Sequence, residues 1–278
     1  MIWLRSDMKK LFPQDTAFDR ILGLRGKIFR ELANRRTLRF EAEGCGYFAK
    51  LHFGVGWREI FKNLLSLHRP VLSAKNEVRA IRRFEELGIE TMTLAGYGIR
   101  GWNPARRESF LITDELSNTL SLEDLCKNWP KQPPPPAFKR ALIRQVAQIA
   151  RTLHENGVNH RDFYLCHFLI GLSELESAVK GSAPVLHVID LHRVQLRRQT
   201  PERWIVKDLA ALFFSSIDIG LTRRDVYRFL RVYRPGPLRE RLFEEKAFWS
   251  QVVLRTTRFY ERDFERSPRL PKGFGGPD

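Results

Sequence analysis

The sequence predicts an α+β protein built from two lobes, and its length and the order of its elements support this prediction. The 278 residues suit one large domain or one domain of two lobes. Short apolar strands dominate the first part of the chain, whereas the later part is mainly helical. We therefore expect a sheet-containing lobe at residues 1–116, a helical lobe at residues 117–266 and a disordered tail at residues 267–278, which is rich in Pro and Gly.

An antiparallel sheet is expected in the first lobe. Short runs of apolar residues predict strands at residues 26–31, 37–41, 46–52, 91–98 and 109–114. In the third of these strands, Tyr47, Ala49 and Leu51 alternate with Phe48 and Lys50. Successive side chains of a strand point to opposite faces, so Lys50 should lie on the face opposite to Tyr47.

Two helices are predicted between these strands. Apolar residues at helical spacing predict one at residues 57–65 and one at residues 76–87, with Ser73 as a candidate N-cap. Residues 32–36, between the first two strands, are expected to form an arginine-bearing loop. This arrangement of strands with interposed helices is typical of an α+β lobe.

The second lobe begins after a polyproline run at residues 133–136, which we interpret as a stiff surface connector. The clearest helix of the chain follows at residues 138–155, where one apolar stripe ends before Gly157. Strands are predicted at residues 168–171 and 185–189, a largely buried helix at residues 207–218, and arginine-rich helices from residue 221 onward.

The charge balance is strongly basic. Lys and Arg number 48 and Asp and Glu 32, which gives a formal net charge of +16 at pH 7. Such a surplus suits an anionic partner, and an evenly spread solubility charge remains an equal alternative. The three cysteines fit no zinc or disulfide pattern. We expect a cytoplasmic protein, because no signal peptide or spanning apolar run is recognisable.

The strongest chemical signal is the run His160-Arg161-Asp162. It directly follows the predicted long helix and precedes a predicted strand. A kinase catalytic loop occupies this place, and its Asp orients the attacking hydroxyl and accepts its proton. The tripeptide alone is common by chance, so its position carries the argument. We expect Asp162 to be the catalytic residue of a phosphotransferase with a bilobal protein-kinase-like fold.

A second acid, Asp190, ends the predicted apolar strand that follows. An Asp at this place fits the Mg²⁺-binding Asp of kinases, since phosphoryl transfer needs a hard cation on the terminal phosphates. An isolated Asp would more often cap a turn, but Asp162 upstream favours the metal role. We therefore expect ATP and Mg²⁺ as cofactors.

Residues for binding ATP are expected in the first lobe. Lys50 lies in an apolar strand, which is costly unless its ammonium has a partner; kinases supply ATP phosphates and a helix Glu, here Glu77. Glu115 and Leu116 occupy the position of a hinge whose backbone would bind adenine. Asp208 opens a buried helix and is expected to hold the backbone of the catalytic loop.

Four segments together resemble one known family, in its order and spacing. They are GYFAKLHFGVGWREIFKNLL, VNHRDFYLCHFL, VIDLHR and KDLAAL. The chain resembles the lipopolysaccharide core heptose(I) kinases of Gram-negative bacteria from about residue 26 to about residue 231. The resemblance implies ATP with Mg²⁺ and phosphate transfer to the first heptose of the inner core, at the cytoplasmic side of the inner membrane. It also implies Asp162 as base, Lys50 as phosphate-binding lysine and Asp190 as metal ligand.

Two positions depart from the general kinase pattern. No glycine-rich loop is present, and either Arg36 or Arg35 could replace it by side-chain charge, unless both are simply solvated. His167 stands where kinases have a metal-binding Asn. It could bind the metal or hydrogen-bond the loop, which leaves the number of metal ions open.

The expected partners follow from this acceptor, which is anionic and amphiphilic. They are the lipid A-linked lipopolysaccharide core and ATP, with an anionic membrane surface and an acidic protein as further candidates. Basic and aromatic side chains in residues 221–242, in the helix at residues 57–65 and near Trp3 could contact a membrane. The commoner alternative is that each segment packs on its own lobe.

Two other functions remain as alternatives. A kinase of the same fold could act on a small sugar or an antibiotic, although such a substrate would not require the net charge of +16. A basic RNA-binding protein without enzymatic activity is the second alternative. No RNA-binding or helix-turn-helix motif is recognisable, so we expect no nucleic-acid partner.

Overall fold

The computed structural model describes residues 1–32, 34–54, 56–57 and 74–271. The chain divides into two compact units. Unit 1 contains residues 1–84 and 92–117, and unit 2 contains residues 85–91 and 118–278.

Unit 1 is built on strands, with helices before and between them. Its elements are β1 (Ile2–Leu4), α1 (Ser6–Leu11), α2 (Ala17–Leu22), β2 (Lys27–Leu32), β3 (Arg35–Ala42), β4 (Cys45–His52), α3 (Lys75–Glu86), β5 (Leu94–Arg100) and β6 (Glu108–Asp114). The strands form one antiparallel sheet in the order β1-β5-β6-β4-β3-β2.

The alternation of β4 is confirmed. Tyr47, Ala49 and Leu51 are buried in a core that also contains residues of α1, α2, β3 and β6. Lys50 points to the other face of the sheet, where it meets Glu77 of α3. Helix α3 buries Val78, Ile81 and other side chains along one stripe, as its helical spacing predicts.

Unit 2 is mainly helical. Its elements are β7 (Thr119–Ser121), α4 (Leu122–Cys126), α5 (Pro136–Glu155), β8 (Val158–Asn159), β9 (Phe168–Gly171), α6 (Leu172–Val179), β10 (His187–Val188), β11 (Gln195–Leu196), α7 (Glu202–Ser216), α8 (Arg223–Tyr233), α9 (Leu238–Glu244) and α10 (Lys246–Phe264). Its short strands form two small sheets, β10-β9-β7 and β11-β8.

Helix α5 leads directly to the predicted catalytic loop at His160-Arg161-Asp162. The predicted stripe is buried at Phe138, Leu142, Val146, Ile149 and Leu153, and each such side chain contributes about 1.5–3 kcal/mol by leaving water. Gly157 follows the helix with φ +75°, and a Cβ there would lie 1.9 Å from the backbone oxygen of Arg197. Only glycine fits this sharp exit without moving the backbone.

The structure corrects several predicted element bounds. Arg35 and Arg36 belong to β3 rather than to a loop, because the β2–β3 hairpin turns within two residues. The strand predicted at 185–189 is limited to His187–Val188, and the helix predicted at 207–218 begins at Glu202, directly after Pro201. The helix predicted at 57–65 and the N-cap Ser73 lie outside the described residues, except for Trp57 at its start.

The N-terminal elements β1, α1 and α2 were not predicted. A strand as short as Ile2–Leu4 carries too little periodicity to be recognised in a sequence. Trp3 lies in this strand and stacks on Tyr97, with 5.9 Å between ring centroids, and is 39% exposed. Its sheet contact favours the packing alternative over a membrane contact.

Candidate active site

The backbone of the catalytic loop is held by one buried acid. Asp208, fully buried in the second turn of α7, accepts hydrogen bonds from the backbone N–H groups of His160, at 2.6 Å, and Arg161, at 2.8 Å. A carboxylate that accepts two backbone N–H bonds is a rigid anchor, since such charge-assisted bonds are about twice as strong as neutral ones. The expected scaffold contact of Asp208 is therefore present.

Two residues of this region have left-handed backbone conformations. Arg161 has φ +76°, and Asp190 has φ +62° and ψ +50°. Non-glycine residues rarely adopt such conformations, and they persist only where the surrounding structure holds them. Arg161 directly precedes the predicted base Asp162, and Asp190 is the predicted metal ligand.

Two histidines join the catalytic loop to the segment that carries Asp190. His160 Nε2 lies 3.0 Å from the backbone oxygen of Ile189, and the backbone N–H of Ile189 donates to the oxygen of His167 at 2.9 Å. His160 is completely buried, and this burial lowers its pKa, so the ring stays neutral. A neutral ring that donates from Nε2 keeps the two segments in a fixed register.

The carboxylate of Asp162 is positioned by an arginine. Arg193 Nη1 donates to Asp162 Oδ1 at 2.7 Å. Hydrogen bonds within the described part of the chain leave Asp162 Oδ2 unused. An acid held by one oxygen presents the other to a substrate hydroxyl, which is the geometry that a base for phosphoryl transfer needs.

Asp190 lies between two histidines. Its Oδ1 is 2.5 Å from His192 Nδ1, and its Oδ2 is 3.8 Å from His167 Nε2. His167 Nδ1 lies 2.7 Å from the backbone oxygen of Asp162, which can only accept, so Nδ1 must donate. In a neutral ring, Nε2 then carries a lone pair that faces the carboxylate of Asp190.

This donor set fits a divalent cation. Two groups with lone pairs that face each other at 3.8 Å repel unless a cation or a proton lies between them. The described residues contain no group of three or more His, Cys, Asp or Glu side chains that could hold a metal. A site with one or two protein ligands is usual for Mg²⁺ that is also bound by nucleotide phosphates.

In unit 1, Lys50 and Glu77 form a shielded ion pair. Lys50 Nζ lies 2.5 Å from Glu77 Oε1, and their side chains are only 16% and 4% exposed. Removing two charges from water offsets much of their attraction, so such a pair is a poor source of stability. Its presence in a strand and a facing helix is better explained by binding, and the role in holding ATP stays a prediction.

The other predicted nucleotide-binding residues also lie in unit 1. The backbone N–H of Glu115 donates to the oxygen of Gly46 at 3.0 Å, and the Glu115 carboxylate accepts from Arg39 at 2.6 Å. Arg36 is paired with Glu31 at 2.7 Å, within the β2–β3 hairpin. This pairing satisfies the guanidinium within the sheet, and the roles of Glu115, Leu116 and Arg36 stay predictions.

Two residues of this centre were missed by the sequence analysis, His192 and Arg193. Both follow Asp190 within three residues, in a short 3₁₀ turn at Leu191–Arg193. A basic pair next to a candidate metal ligand was the available signal. It is a weak one, because only the folded chain brings Arg193 to Asp162, 31 residues away in sequence.

Comparisons with known proteins agree on one family. Residues 19–233 match the model of the lipopolysaccharide kinase (Kdo/WaaP) family. The chain is 49% identical to the lipopolysaccharide core heptose(I) kinase WaaP of Pseudomonas aeruginosa, over 93% of this chain and 96% of that protein. It is 46% identical to the protein of the same name from Escherichia coli, over 96% of this chain and 100% of that protein.

A solved structure extends the likeness to the fold. The chain matches a WaaP in complex with acyl carrier protein at a TM-score of 0.81 and 44% identity, over 94% of this chain and 100% of that one. The kinase-like α+β fold is thereby confirmed. Within the described residues no helix is both long and apolar enough to cross a bilayer. The chain belongs to the lipopolysaccharide kinase (Kdo/WaaP) family, whose members are phosphotransferases.

Proposed function

We propose that this kinase transfers the γ-phosphate of ATP to heptose I of the lipopolysaccharide inner core. The observation that carries the proposal is the Asp162 carboxylate, held by Arg193 at the end of a loop that Asp208 anchors, in a chain of this family. The alternatives of a small-molecule kinase and an RNA-binding protein are not favoured, because the similar proteins named above are all heptose(I) kinases.

The proposed roles follow from the contacts of each residue. Asp162 Oδ2 would accept the proton of the heptose hydroxyl, while Arg193 keeps the carboxylate oriented. Lys50, fixed by Glu77, would bind the α- and β-phosphates. Asp190, with His167, would hold Mg²⁺. The bound cation would neutralise negative charge on the terminal phosphates.

Adenine recognition belongs to the same proposal. The backbone oxygen of Glu115 and the backbone groups of Leu116 would bind the adenine edge, since these residues directly follow β6, the last strand of unit 1. Arg36 would add positive charge for the phosphates if ATP displaces Glu31 from it. Because the acceptor is amphiphilic, we place the reaction at the inner face of the inner membrane.

The direct test measures phosphate transfer from γ-labelled ATP to purified core lipopolysaccharide that lacks the heptose phosphate. The native protein is compared with Asp162→Asn. We expect the substitution to lower kcat by about 10³-fold or more, because the base is lost, and to leave ATP affinity within about twofold.

The matched control is Asp15→Asn, an exposed acid in the connection between α1 and α2. It should retain native turnover. Near-native turnover in Asp162→Asn would contradict the assignment of the base. No transfer by a folded native protein that binds ATP would contradict the proposed acceptor.

We also propose that the chain binds an acyl carrier protein. The similar solved WaaP is in complex with acyl carrier protein, an acidic partner, and this chain carries a net charge of +16. Unit 2 contains an apolar cavity of about 130 Å³, lined by residues of α4, α5, α7, α8 and α10. A cavity of this chemistry suits an acyl chain, which gains free energy when it leaves water.

The test of this proposal compares two forms of purified acyl carrier protein by titration calorimetry. One form carries a long acyl chain and the other carries only its phosphopantetheine arm. We expect the acylated form to bind more tightly by about tenfold or more, because each buried CH₂ contributes about 0.8 kcal/mol. Equal affinities would contradict a role for the cavity, and no binding of either form would contradict the partner.

A further inference from the structure

Four cationic side chains of unit 2 surround one indole ring. The cations lie within 6 Å of the ring centroid of Trp204: Arg161 Cζ at 5.1 Å, Arg203 Cζ at 5.6 Å, Arg197 Cζ at 5.7 Å and Lys207 Nζ at 5.7 Å. We call these five residues the Trp204 cluster. A cation near an aromatic ring is attracted to it, but four cations at one ring also repel one another.

The positive charge of the cluster is poorly balanced by the protein. Arg161, Arg203 and Lys207 form no ion pair with a carboxylate in the described residues, and Arg197 donates to the neutral side chains of Asn159 and Gln195. Arg39 and Arg193, by contrast, are each paired with an acid, Glu115 and Asp162. Three cations of the cluster, those of Arg161, Arg203 and Lys207, therefore share one aromatic ring without a carboxylate partner among the described residues.

Two further observations indicate that the cluster binds an anionic ligand. The indole Nε1–H of Trp204 and the Nε–H of Arg161 are buried and have no hydrogen-bond partner among the described residues. Burial, followed by the neighbouring cations Arg193 and Arg197, lowers the pKa of Arg161. Burial, followed by Arg161 and Arg193, lowers the pKa of Lys207. A bound anion would accept hydrogen bonds from the buried donors and would reduce the repulsion between the crowded cations.

The cluster adjoins the catalytic acid. Arg161 directly precedes Asp162, and Arg193, which acts electrostatically on both Arg161 and Lys207, donates to Asp162 Oδ1 at 2.7 Å. An anion bound here would therefore lie beside the hydroxyl that Asp162 orients. Arg161 precedes Asp162 in the chain, the other four cluster residues follow it, and Arg203 is exposed to solvent.

We propose that the Trp204 cluster binds an acidic group, a carboxylate or a phosphate, of the same saccharide that presents its hydroxyl to Asp162. The inference rests on the proposed function and adds the acceptor's charge as a requirement. Arginine and lysine that converge on one point recognise such groups by charge-assisted hydrogen bonds. The cluster fixes the acceptor in register with the base, so a neutral saccharide of the same size would be a poor substrate.

The test uses full-length Lys207→Gln and Arg203→Gln, which each remove one charge and keep the side-chain length. The control is Lys180→Gln, an exposed lysine after α6 that lies outside the cluster. We expect each cluster variant to raise the acceptor KM by about tenfold, because one charge-assisted contact contributes about 1.5 kcal/mol. ATP KM should stay within about twofold of the native value, and thermal unfolding should confirm that each variant is folded.

Chemical changes in the acceptor identify the anion. Core lipopolysaccharide is used untreated, after enzymatic removal of its lipid A phosphates, or after reduction of its sugar carboxylates to alcohols. Loss of the recognised group should raise the native KM as the variants do, and Lys207→Gln should show no further increase on that acceptor. This non-additivity distinguishes direct contact from an indirect effect.

Each of the remaining outcomes would contradict the inference. If the native protein transfers phosphate and both cluster variants keep the native acceptor KM, the inference is wrong and the proposed function stands. A rise in ATP KM instead would assign the cluster to the nucleotide and overturn the inference. If the native protein transfers no phosphate to any of these acceptors, the proposed function fails and the inference fails with it.

Discussion

Backbone groups, more than side-chain pairs, hold the proposed catalytic residues of this kinase in place. Asp208 binds the N–H groups of His160 and Arg161, and His160 and His167 each bind a backbone oxygen. Such contacts fix the loop even though the left-handed backbone conformation of Arg161 is energetically unfavourable. The side chain of Asp162 is thus positioned by residues that need not touch the substrate.

Asp208 allows this positioning role to be tested. We expect Asp208→Ala to lower the free energy of unfolding by about 2–5 kcal/mol, because two buried N–H groups lose their acceptor. In the milder Asp208→Asn variant the amide oxygen still accepts one bond. Its kcat should fall by about tenfold or more while its ATP KM changes little, because the loop that carries Asp162 loosens.

Urea unfolding and steady-state kinetics measure these two effects. Asp263→Asn, an exposed acid in α10, is the control and should match the native protein. A folded Asp208→Asn variant with native kcat would contradict the positioning role.

At the scale of elements, the N-terminal segment is tied to the end of the central strand β6. Arg5 donates to both carboxylate oxygens of Asp114, at 2.7 Å each, and to those of Asp7 at 2.7 and 2.9 Å. Arg5 and Asp114 are 109 residues apart in sequence. This contact attaches β1 and α1 to the strand that precedes the predicted adenine-binding residues Glu115 and Leu116.

The pH dependence of stability should report this contact. The guanidinium of Arg5 lowers the pKa of Asp7 to about 2, below the value near 4 of an unfolded chain. A lowered carboxyl pKa stabilises the fold above pH 4, and this contribution is lost as the pH falls from about 4 to about 2. Asp7 is partly exposed, so we expect Asp7→Asn to cost only about 1 kcal/mol at pH 7.

Urea unfolding at pH 7, 4 and 3 measures the difference between the native protein and Asp7→Asn. The difference should shrink as the pH falls, whereas Asp15→Asn should behave as the native protein does at each pH. A constant difference between pH 7 and pH 3 would show that the carboxylate charge of Asp7 is not what stabilises the segment.

For the whole molecule, we infer that the net charge of +16 serves partner binding rather than the fold. Exposed charges attract an acidic partner over distances that salt shortens, from about 10 Å at 0.1 M to about 3 Å at 1 M. We expect the affinity for acylated acyl carrier protein to fall by about tenfold or more between 0.05 M and 0.5 M salt. Calorimetry at both salt concentrations measures this. A salt-independent affinity would mean that the apolar cavity alone holds the partner.

Much of the fold could be predicted because its signals are local. The alternation in β4 predicted its buried face and placed Lys50 on the opposite face. The apolar stripe of α5 predicted both the helix and the start of the proposed catalytic loop. The strand β1 could not be predicted in this way, because its three residues become a strand only by pairing with β5.

The sequence by itself determined the fold class, the family and the positions of Asp162, Asp190 and Lys50, since each lies in a short segment with a characteristic pattern. The tertiary structure alone decided which side chains surround them. Arg193 meets Asp162 across 31 residues and Asp208 meets His160 across 48. The Trp204 cluster likewise gathers Arg161, Arg197 and Lys207 from separate segments. Periodicity encodes which face of an element is buried, whereas the partner of a charged side chain depends on distances that exist only after the chain has folded.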